Sequence, residues 1–200
     1  MSNIKVTFPD SSIKEFDSGI SCLDIVKSIS NSLAKKVLVV SYNDELIDLS
    51  SKLVEDGKIK FLTWDDLDGK KAFWHSSAHI LAEAVENIYP EVKFGIGPPI
   101  SNGFYYDIDF MDYDISKIDL SKIEKKFLEL SSSNLSFERT DISKKDALKY
   151  FKDKNDPYKL ELIDNLNDGE ISFYKQGNFT DLCKGPHIPS SKFIKSFKIL

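Results

Sequence analysis

The order in which hydrophobic spacing changes along the first 63 residues is the feature that most limits how this chain can fold. Residues 4–8 alternate between apolar and polar, as a half-buried strand does, and a second short strand is predicted at 13–16 after the turn sequence PDSS. Apolar residues then recur at helical spacing from 22 to 33. Ser21 can cap this helix, because Asp24 follows three positions later.

Three further strands are predicted after this helix. A continuous apolar run covers 37–40, a tight turn at Asn43-Asp44 leads into 46–49, and 58–62 closes the segment. The resulting order ββαβββ within about 60 residues is that of the β-grasp, or ubiquitin-like, fold, and it falls within the size range of small domains. Cys22 lies on the apolar side of the helix and is interpreted as a core residue.

A second domain is predicted at 71–200, after a polar linker at 64–70. Its first helix carries an apolar stripe from Trp74 to Tyr89 and ends at Pro90. A strand is expected at 104–110, with Phe104, Tyr106, Ile108 and Phe110 on one face and Tyr105, Asp107 and Asp109 on the other. The other predicted elements are helices at 120–130, 143–152 and 157–165 and strands at 170–175 and 179–183. This pattern is typical of a two-layer α+β domain.

The composition excludes several classes of protein. No apolar run approaches the roughly 18 residues of a membrane span, so no membrane partner is expected. The first residues do not resemble a signal peptide, and two distant cysteines make no disulfide framework, so a cytoplasmic location is expected. The net charge of -5 and the single arginine, Arg139, argue against a dedicated nucleic-acid coat. Local RNA contacts would fall mainly to lysines and would be sensitive to salt.

All three histidines of the chain and one of its two cysteines fall into two short motifs. His75 and His79 form HxxxH on the predicted helix, where residues four apart project from nearly the same side. Cys183 and His187 form CxxxH, and the Gly185-Pro186 pair between them rules out a regular helix there. Either motif alone could be structural, but together they favour a functional site.

Two chemistries remain open for these four residues. Three imidazoles and a thiolate could bind zinc in a tetrahedral site. Alternatively, the imidazoles could orient water or relay protons in a hydrolysis that needs no metal, with the cysteine holding the substrate. The spacing of the motifs does not separate the two.

Four sequence blocks in this order resemble the editing domain of bacterial-type threonyl-tRNA synthetases. They are HSSAHIL at 75–81, GIGPPISNGFYYDID at 95–109, DPYKLELI at 156–163 and DLCKGPHIP at 181–189. Residues 1–63 resemble the TGS domain that precedes it in that family. The resemblance covers essentially the whole chain. It implies a proofreading deacylase that hydrolyses threonine tRNA wrongly charged with serine.

The resemblance also implies roles for individual residues. The catalytic residues would be His75, Lys159, Cys183 and His187, with His75 and Lys159 positioning and activating water. The substrate would contact His79, Tyr106, Asp181 and Gly97, with Asp181 binding its α-amino group. Strand alternation alone leaves open whether Tyr106 faces the pocket or the core, and Lys159 would otherwise be read as a surface lysine. Tyr105 is a further candidate for contact with the terminal base of the tRNA.

The expected partner is the 3′ end of threonine tRNA carrying serine, and no cofactor is expected to be required for editing. If zinc is bound, its ligands would be His75, His79, Cys183 and His187, as in a zinc-dependent alanyl-type editing deacylase. A non-catalytic tRNA-binding module is the remaining alternative. The ATP-dependent catalytic core of the family is expected to follow residue 200, and the anticodon-binding domain of the family is expected to be absent from this sequence. A homodimer is expected only where that core is present.

Overall fold

The computed structural model describes residues 2–200, and these form two compact units. The first unit runs up to Phe73 and also includes residues 185–189, whereas the second comprises 74–184 and 190–200. The elements of the first unit are β1 (Asn3–Thr7), β2 (Ile13–Asp17), β3 (Ile20–Ser21), α1 (Cys22–Ile29), α2 (Asn31–Ala34), β4 (Val39–Tyr42), β5 (Glu45–Ile47), β6 (Lys52–Leu53) and β7 (Gly57–Leu62).

The main sheet of the first unit has the strand order β2-β1-β7-β4-β5. Strands β1 and β7 pair in parallel at its centre, and the other neighbours pair antiparallel. Helix α1 contributes Cys22, Ile25 and Val26 to the apolar core, all fully buried. The predicted β-grasp fold and the core position of Cys22 are confirmed.

Ser30 divides the helix predicted at 22–33 into two. Its backbone N–H bonds to the carbonyl of Val26 and ends α1, while its side chain accepts from the N–H of Leu33 and begins α2. Serine competes for backbone bonds in this way because its hydroxyl is short and close to the main chain. The start of α1 is as predicted, since Ser21 accepts from the N–H of Asp24. The strands β3 and β6, which pair with each other, were missed.

Helix α3 (Leu67–Ile88) begins earlier than predicted. The segment 64–70, expected to be a polar linker, is a turn followed by the first helical residues. Asp66 stabilises that turn, because its side chain accepts from the N–H of Thr63 and its carbonyl accepts from the N–H of Lys70. The helix ends just before Pro90, as expected.

The remaining elements follow α3 along the chain. They are β8 (Lys93–Phe94), β9 (Pro99–Ile100), β10 (Gly103–Phe104), β11 (Ile108–Asp109), α4 (Leu120–Ser132), β12 (Glu138–Asp141), α5 (Lys144–Asp153), α6 (Pro157–Asp164), β13 (Ser172–Gln176) and β14 (Phe179–Leu182). Strands β12, β13 and β14 form an antiparallel sheet. The predicted helices α4, α5 and α6 and the last two strands are confirmed, whereas β12 was missed.

The single strand predicted at 104–110 is wrong. The segment forms two short ladders instead, β10 with β9 and β11 with β8, and residues 105–107 between them are irregular. The opposing segment contains Pro98 and Pro99, which have no N–H to donate, so a continuous ladder cannot form. Isolated bonds remain there, from Tyr105 N–H to the Pro98 carbonyl and from Asp107 N–H to the Ile96 carbonyl.

Candidate functional site

Helix α3 carries both histidines of the HxxxH motif within the second unit. The ring centroids of His75 and His79 are 5.2 Å apart and nearly perpendicular. His79 is 3 % exposed and is therefore buried. Its burial, helped by His75 and Lys159 nearby, lowers the pKa of His79 well below its usual value. His79 is therefore a neutral imidazole at physiological pH.

Strand β14 brings Cys183 to the same place. The backbone N–H of Cys183 donates to the carbonyl of Ser172, and the Ser172 hydroxyl donates to the carbonyl of Cys183 at 2.6 Å. Both bonds fix the backbone immediately after β14. The Cys183 sulfur then lies 3.2 Å from Nε2 of His75, within hydrogen-bonding distance for sulfur.

A buried ion pair forms the other side of the site. Lys159 and Asp181 are each 4 % exposed, and Nζ of Lys159 lies 2.9 Å from both carboxylate oxygens of Asp181. Lys159 is the third residue of α6, and Asp156 is the N-cap residue of this helix. Nζ of Lys159 also donates to the carbonyl of Gly95 at 3.3 Å. The ion pair offsets the cost of burying these two side chains, because an unpaired charge would be costly in this place.

Tyr106 extends this polar chain. Its hydroxyl donates to Oδ2 of Asp181 at 3.3 Å. Burial, and then the charge of Asp181, raises the pKa of Tyr106 well above its usual value, so the phenol stays protonated. Tyr105, the other aromatic candidate, is 67 % exposed. The strand alternation left the direction of Tyr106 open, and its bond to Asp181 now joins it to the polar cluster.

Gly97 lies against the ring of Tyr106. A Cβ atom built on Gly97 would come within 2.7 Å of that ring, closer than real Cβ contacts. Glycine is therefore required here for the backbone to approach the aromatic ring. Phe94 makes an edge contact with Tyr106 and also with Phe179, which in turn contacts the ring of His79.

The structure brings together seven of the eight predicted site residues within the second unit. They are His75, His79, Gly97, Tyr106, Lys159, Asp181 and Cys183. The eighth, His187, belongs to the segment counted with the first unit. It is 1 % exposed, and its backbone N–H donates to Oδ1 of Asp48 at 2.8 Å. Its place beside the other site residues stays a prediction.

Sequence reasoning missed two buried polar residues next to this cluster, Glu83 and Gln176. Glu83 is 2 % exposed and lies four positions after His79 on α3, so the HxxxH spacing could have been extended to it. Gln176 is 1 % exposed and ends β13. Its side-chain Nε2 donates to the backbone carbonyl of His79 at 2.9 Å. No pattern in the sequence pointed to Gln176.

The donor atoms of the site are suited in kind to a metal ion. The side-chain nitrogens of His75 and His79 and the sulfur of Cys183 lie within 4.8 Å of one another. Ligand atoms around a tetrahedral zinc ion, bound at about 2.0–2.3 Å, are roughly 3.5 Å apart, so these three residues could converge on one ion.

None of the helices within residues 2–200 is long and apolar enough to cross a membrane.

Two family models match the chain. Residues 4–63 match the TGS domain, and residues 171–200 match the threonyl and alanyl tRNA synthetase second additional domain. The fold and the cluster on α3, α6 and β14 therefore define a TGS domain followed by an editing-type domain of this class.

The full length of the chain is similar to the N-terminal parts of bacterial threonine–tRNA ligases. It is 54% identical over 197 residues to the threonine–tRNA ligase of Cytophaga hutchinsonii and 50% identical over 197 residues to that of Parabacteroides distasonis. Each alignment covers 98% of this chain and 30% of the relative. The chain thus spans about a third of the length of the curated relatives that it matches.

Proposed function

We propose that the chain hydrolyses the ester bond of threonine tRNA wrongly charged with serine. The observation that supports this most directly is the convergence of His75, Cys183 and the buried Lys159–Asp181 pair. Such a cluster offers groups that orient water and groups that stabilise charge. In this proposal the chain acts in the cytoplasm on the 3′ end of the tRNA, and the ligation of threonine to tRNA belongs to a longer, dimeric protein.

A separate editing site is useful because an activating site can distinguish threonine from serine only to a limited extent. Serine lacks one methyl group of threonine, and a pocket rejects a ligand that is smaller by one such group by only about 1–3 kcal/mol. An activating site therefore accepts serine at an appreciable rate. A separate hydrolytic site that selects for the smaller side chain removes the wrong product.

Lys159 is the proposed electrostatic stabiliser of the reaction. Lys159 forms a buried ion pair with Asp181 at 2.9 Å, so its proposed role is electrostatic rather than that of a base. Hydrolysis places negative charge on the former carbonyl oxygen, and a buried cation stabilises such charge strongly. Orienting and deprotonating the water then falls to His75, whose Nε2 faces the thiol of Cys183.

Asp181 is the proposed partner of the substrate's α-amino group. Its carboxylate has about four acceptor positions. These are already used by Lys159, by Tyr106 at 3.3 Å and by the N–H of Leu182 at 2.8 Å. The bond from Tyr106 is the longest, so the substrate ammonium would displace that one. Tyr106 would then be free to turn to the substrate while Gly97 leaves room for its ring.

His79 is the proposed brace for His75 or contact for the terminal adenosine. It is neutral and buried, and its ring stands edge-on to that of His75. A neutral imidazole beside His75 avoids a second positive charge next to Lys159. Cys183 and His187 would shape the serine pocket and hold the terminal ribose.

The test of this proposal is hydrolysis of seryl- and threonyl-charged threonine tRNA by the chain. We expect rapid loss of serine and slow loss of threonine, and we expect His75→Ala and Cys183→Ala to abolish the reaction. A seryl ester of adenosine tests the site without docking of the tRNA body. Absence of hydrolysis of this ester by the wild-type chain would exclude the editing function in favour of a module that only binds tRNA.

A zinc-dependent deacylase is a second candidate, favoured by the spacing of the His75, His79 and Cys183 donor atoms. His187 would supply the fourth ligand. Four protein ligands would close the site, so one of them would have to yield its position to water, and the bound zinc would then lower the pKa of that water to about 7. Metal analysis of the purified chain distinguishes the metal-free reaction from the zinc-dependent one. One zinc per chain, with activity lost on chelation, would support the metal-dependent reaction. Full activity in a metal-free preparation would exclude it.

A further inference from the structure

The site is assembled from two separate elements of the second unit that must be held in one register. Helix α3 contributes His75 and His79, whereas β14 contributes Asp181 and the residue after it is Cys183. At the reacting groups, these two elements approach each other where the Cys183 sulfur lies 3.2 Å from Nε2 of His75. Such an approach is easily lost if the two elements slide.

The turn that joins β13 to β14 contacts α3 directly. Gln176 and Phe179 form the last pair of the hairpin, and Gly177, with φ +50°, makes the turn. From this turn, Nε2 of Gln176 donates to the carbonyl of His79 at 2.9 Å. The backbone N–H of Asn178 donates to Oε1 of Glu83 at 3.1 Å. These two hydrogen bonds therefore connect Gln176 and Asn178, on either side of Gly177, to His79 and Glu83, which lie one helical turn apart on α3.

The packing around these bonds leaves little freedom. Gln176 and Glu83 are 1 % and 2 % exposed, so neither bond is replaced readily by water. A Cβ atom on Gly177 would overlap the carboxylate of Glu83, so the backbone of the turn packs directly against this side chain. Burial also raises the pKa of Glu83, because the charged carboxylate is removed from water.

We infer that Gln176 and Glu83 are positioning residues that hold the β13–β14 hairpin in one register on helix α3. Gln176 fixes the backbone of His79, and Glu83 fixes the turn through Asn178. The five residues from the turn to Cys183 run along β14, so a displacement at the turn is passed to the cysteine. Neither residue touches the reacting atoms, and both act through His79 and Cys183.

The experiment compares Gln176→Met and Glu83→Ala with Glu83→Gln, in the 200-residue chain. Methionine keeps the volume of glutamine but has no amide, and Glu83→Gln keeps an oxygen that accepts from Asn178. Lys175→Ala, an exposed neighbour on β13, and Glu86→Gln, on α3, are the matched controls. Circular dichroism establishes that each variant is folded. If Glu83→Ala does not fold, Gln176→Met decides alone.

The first readout is hydrolysis of the seryl ester of adenosine, and it rests on the proposed function. A misplacement of about 1 Å at a site can cost roughly 100-fold in rate, so we expect kcat to fall by about 10- to 100-fold in Gln176→Met and Glu83→Ala with KM unchanged. Glu83→Gln and both controls should keep the wild-type kcat. Wild-type kcat in a folded Gln176→Met would overturn the inference.

The second readout does not require activity and separates failure of the inference from failure of the proposed function. We would record the imidazole NMR resonances of His75 and His79 and the rate at which iodoacetamide alkylates Cys183. Burial raises the pKa of Cys22 to about 12, so this thiol contributes little to the alkylation. Both readouts should change in Gln176→Met and Glu83→Ala only. Unchanged resonances and rates in these variants would overturn the inference even if the wild type hydrolyses no ester.

Discussion

The interiors of the two units differ in what they bury. The core of the first unit is built from aliphatic side chains on β1, α1, β4 and β7 around Cys22. The second unit has apolar clusters of its own, but it also buries a lysine, several carboxylates, a glutamine and a histidine. Among residues 2–200, the buried polar side chains of the first unit are Asp48 and His187, and the backbone N–H of His187 donates to the carboxylate of Asp48.

This difference means that the second unit carries a desolvation cost that the first unit largely avoids. An apolar core needs only shape and volume, whereas each buried polar group must be paired to offset its desolvation. The second unit meets that need with the chain of contacts from Gly95 through Lys159 and Asp181 to Tyr106.

Lys159→Met should have the largest effect, because it leaves the buried carboxylate of Asp181 without its counter-charge. Breaking a buried ion pair costs about 3–5 kcal/mol. We expect a loss of this size in the free energy of unfolding of the second unit, measured by native-state hydrogen exchange, together with loss of ester hydrolysis.

The control for Lys159→Met is the double variant with Asp181→Asn, which removes the uncompensated charge but keeps groups that can bond to Tyr106 and Leu182. It should recover most of the stability and none of the activity. Equal stability of wild type and Lys159→Met would contradict the role of the ion pair.

Gly97→Ala should have the next largest effect. The new methyl group would meet the ring of Tyr106 at 2.7 Å, and overpacking of this kind costs about 1–3 kcal/mol. Because Tyr106 must shift, hydrolysis of the seryl ester should fall as well. Urea unfolding and ester kinetics measure the two effects.

Gly95→Ala is the matched comparison for Gly97→Ala. There the new atom would meet the Cβ of Asp107, an exposed residue, at 3.1 Å, so a smaller loss is expected. If Gly97→Ala were as stable and as active as Gly95→Ala, the close approach between Gly97 and Tyr106 would matter neither for stability nor for hydrolysis.

Ile25→Val tests the other side of the contrast, in the first unit. Ile25 is fully buried, and removing one methyl group from a core costs about 0.5–1.5 kcal/mol. Hydrogen exchange in α1 and β4 should report this loss while kcat for the seryl ester stays at the wild-type value. Ile13→Val, at a residue 61 % exposed, is the control and should change neither quantity. A fall in kcat for Ile25→Val would show that the first unit takes part in catalysis.

Glu83→Gln should have the smallest effect, and it depends on pH. Burial raises the pKa of Glu83 in the folded chain above its usual value. The folded state therefore holds more protons than the unfolded state above that usual value, and the wild type loses stability as the pH rises from about 4.5 towards neutral. Glutamine does not titrate, so Glu83→Gln should become more stable relative to wild type over this range.

Urea unfolding at several pH values measures the effect of Glu83→Gln. Glu15→Gln, an exposed change in the first unit, controls for the loss of one negative charge. Parallel pH profiles for wild type and Glu83→Gln would contradict the burial of a titrating carboxylate at this position.

The sequence was most informative where local patterns decide the structure. Alternation and helical spacing predicted the β-grasp order, and the two histidine motifs pointed to the cluster on α3. Interruptions that depend on single residues were harder to foresee, such as the division of a helix by Ser30 and the break opposite Pro98. The burial of Lys159 and the role of Gln176 depend on contacts between segments distant in sequence. Propensity and periodicity carry no information about such contacts.

The most direct test of the proposed editing function is hydrolysis of the seryl and threonyl esters of adenosine by the 200-residue chain, with Lys159→Met and His75→Ala beside the wild type. We predict that the wild type hydrolyses the seryl ester faster than the threonyl ester and that neither variant hydrolyses either. Equal rates for both esters, or a wild type as slow as the variants, would contradict an editing site built on these residues.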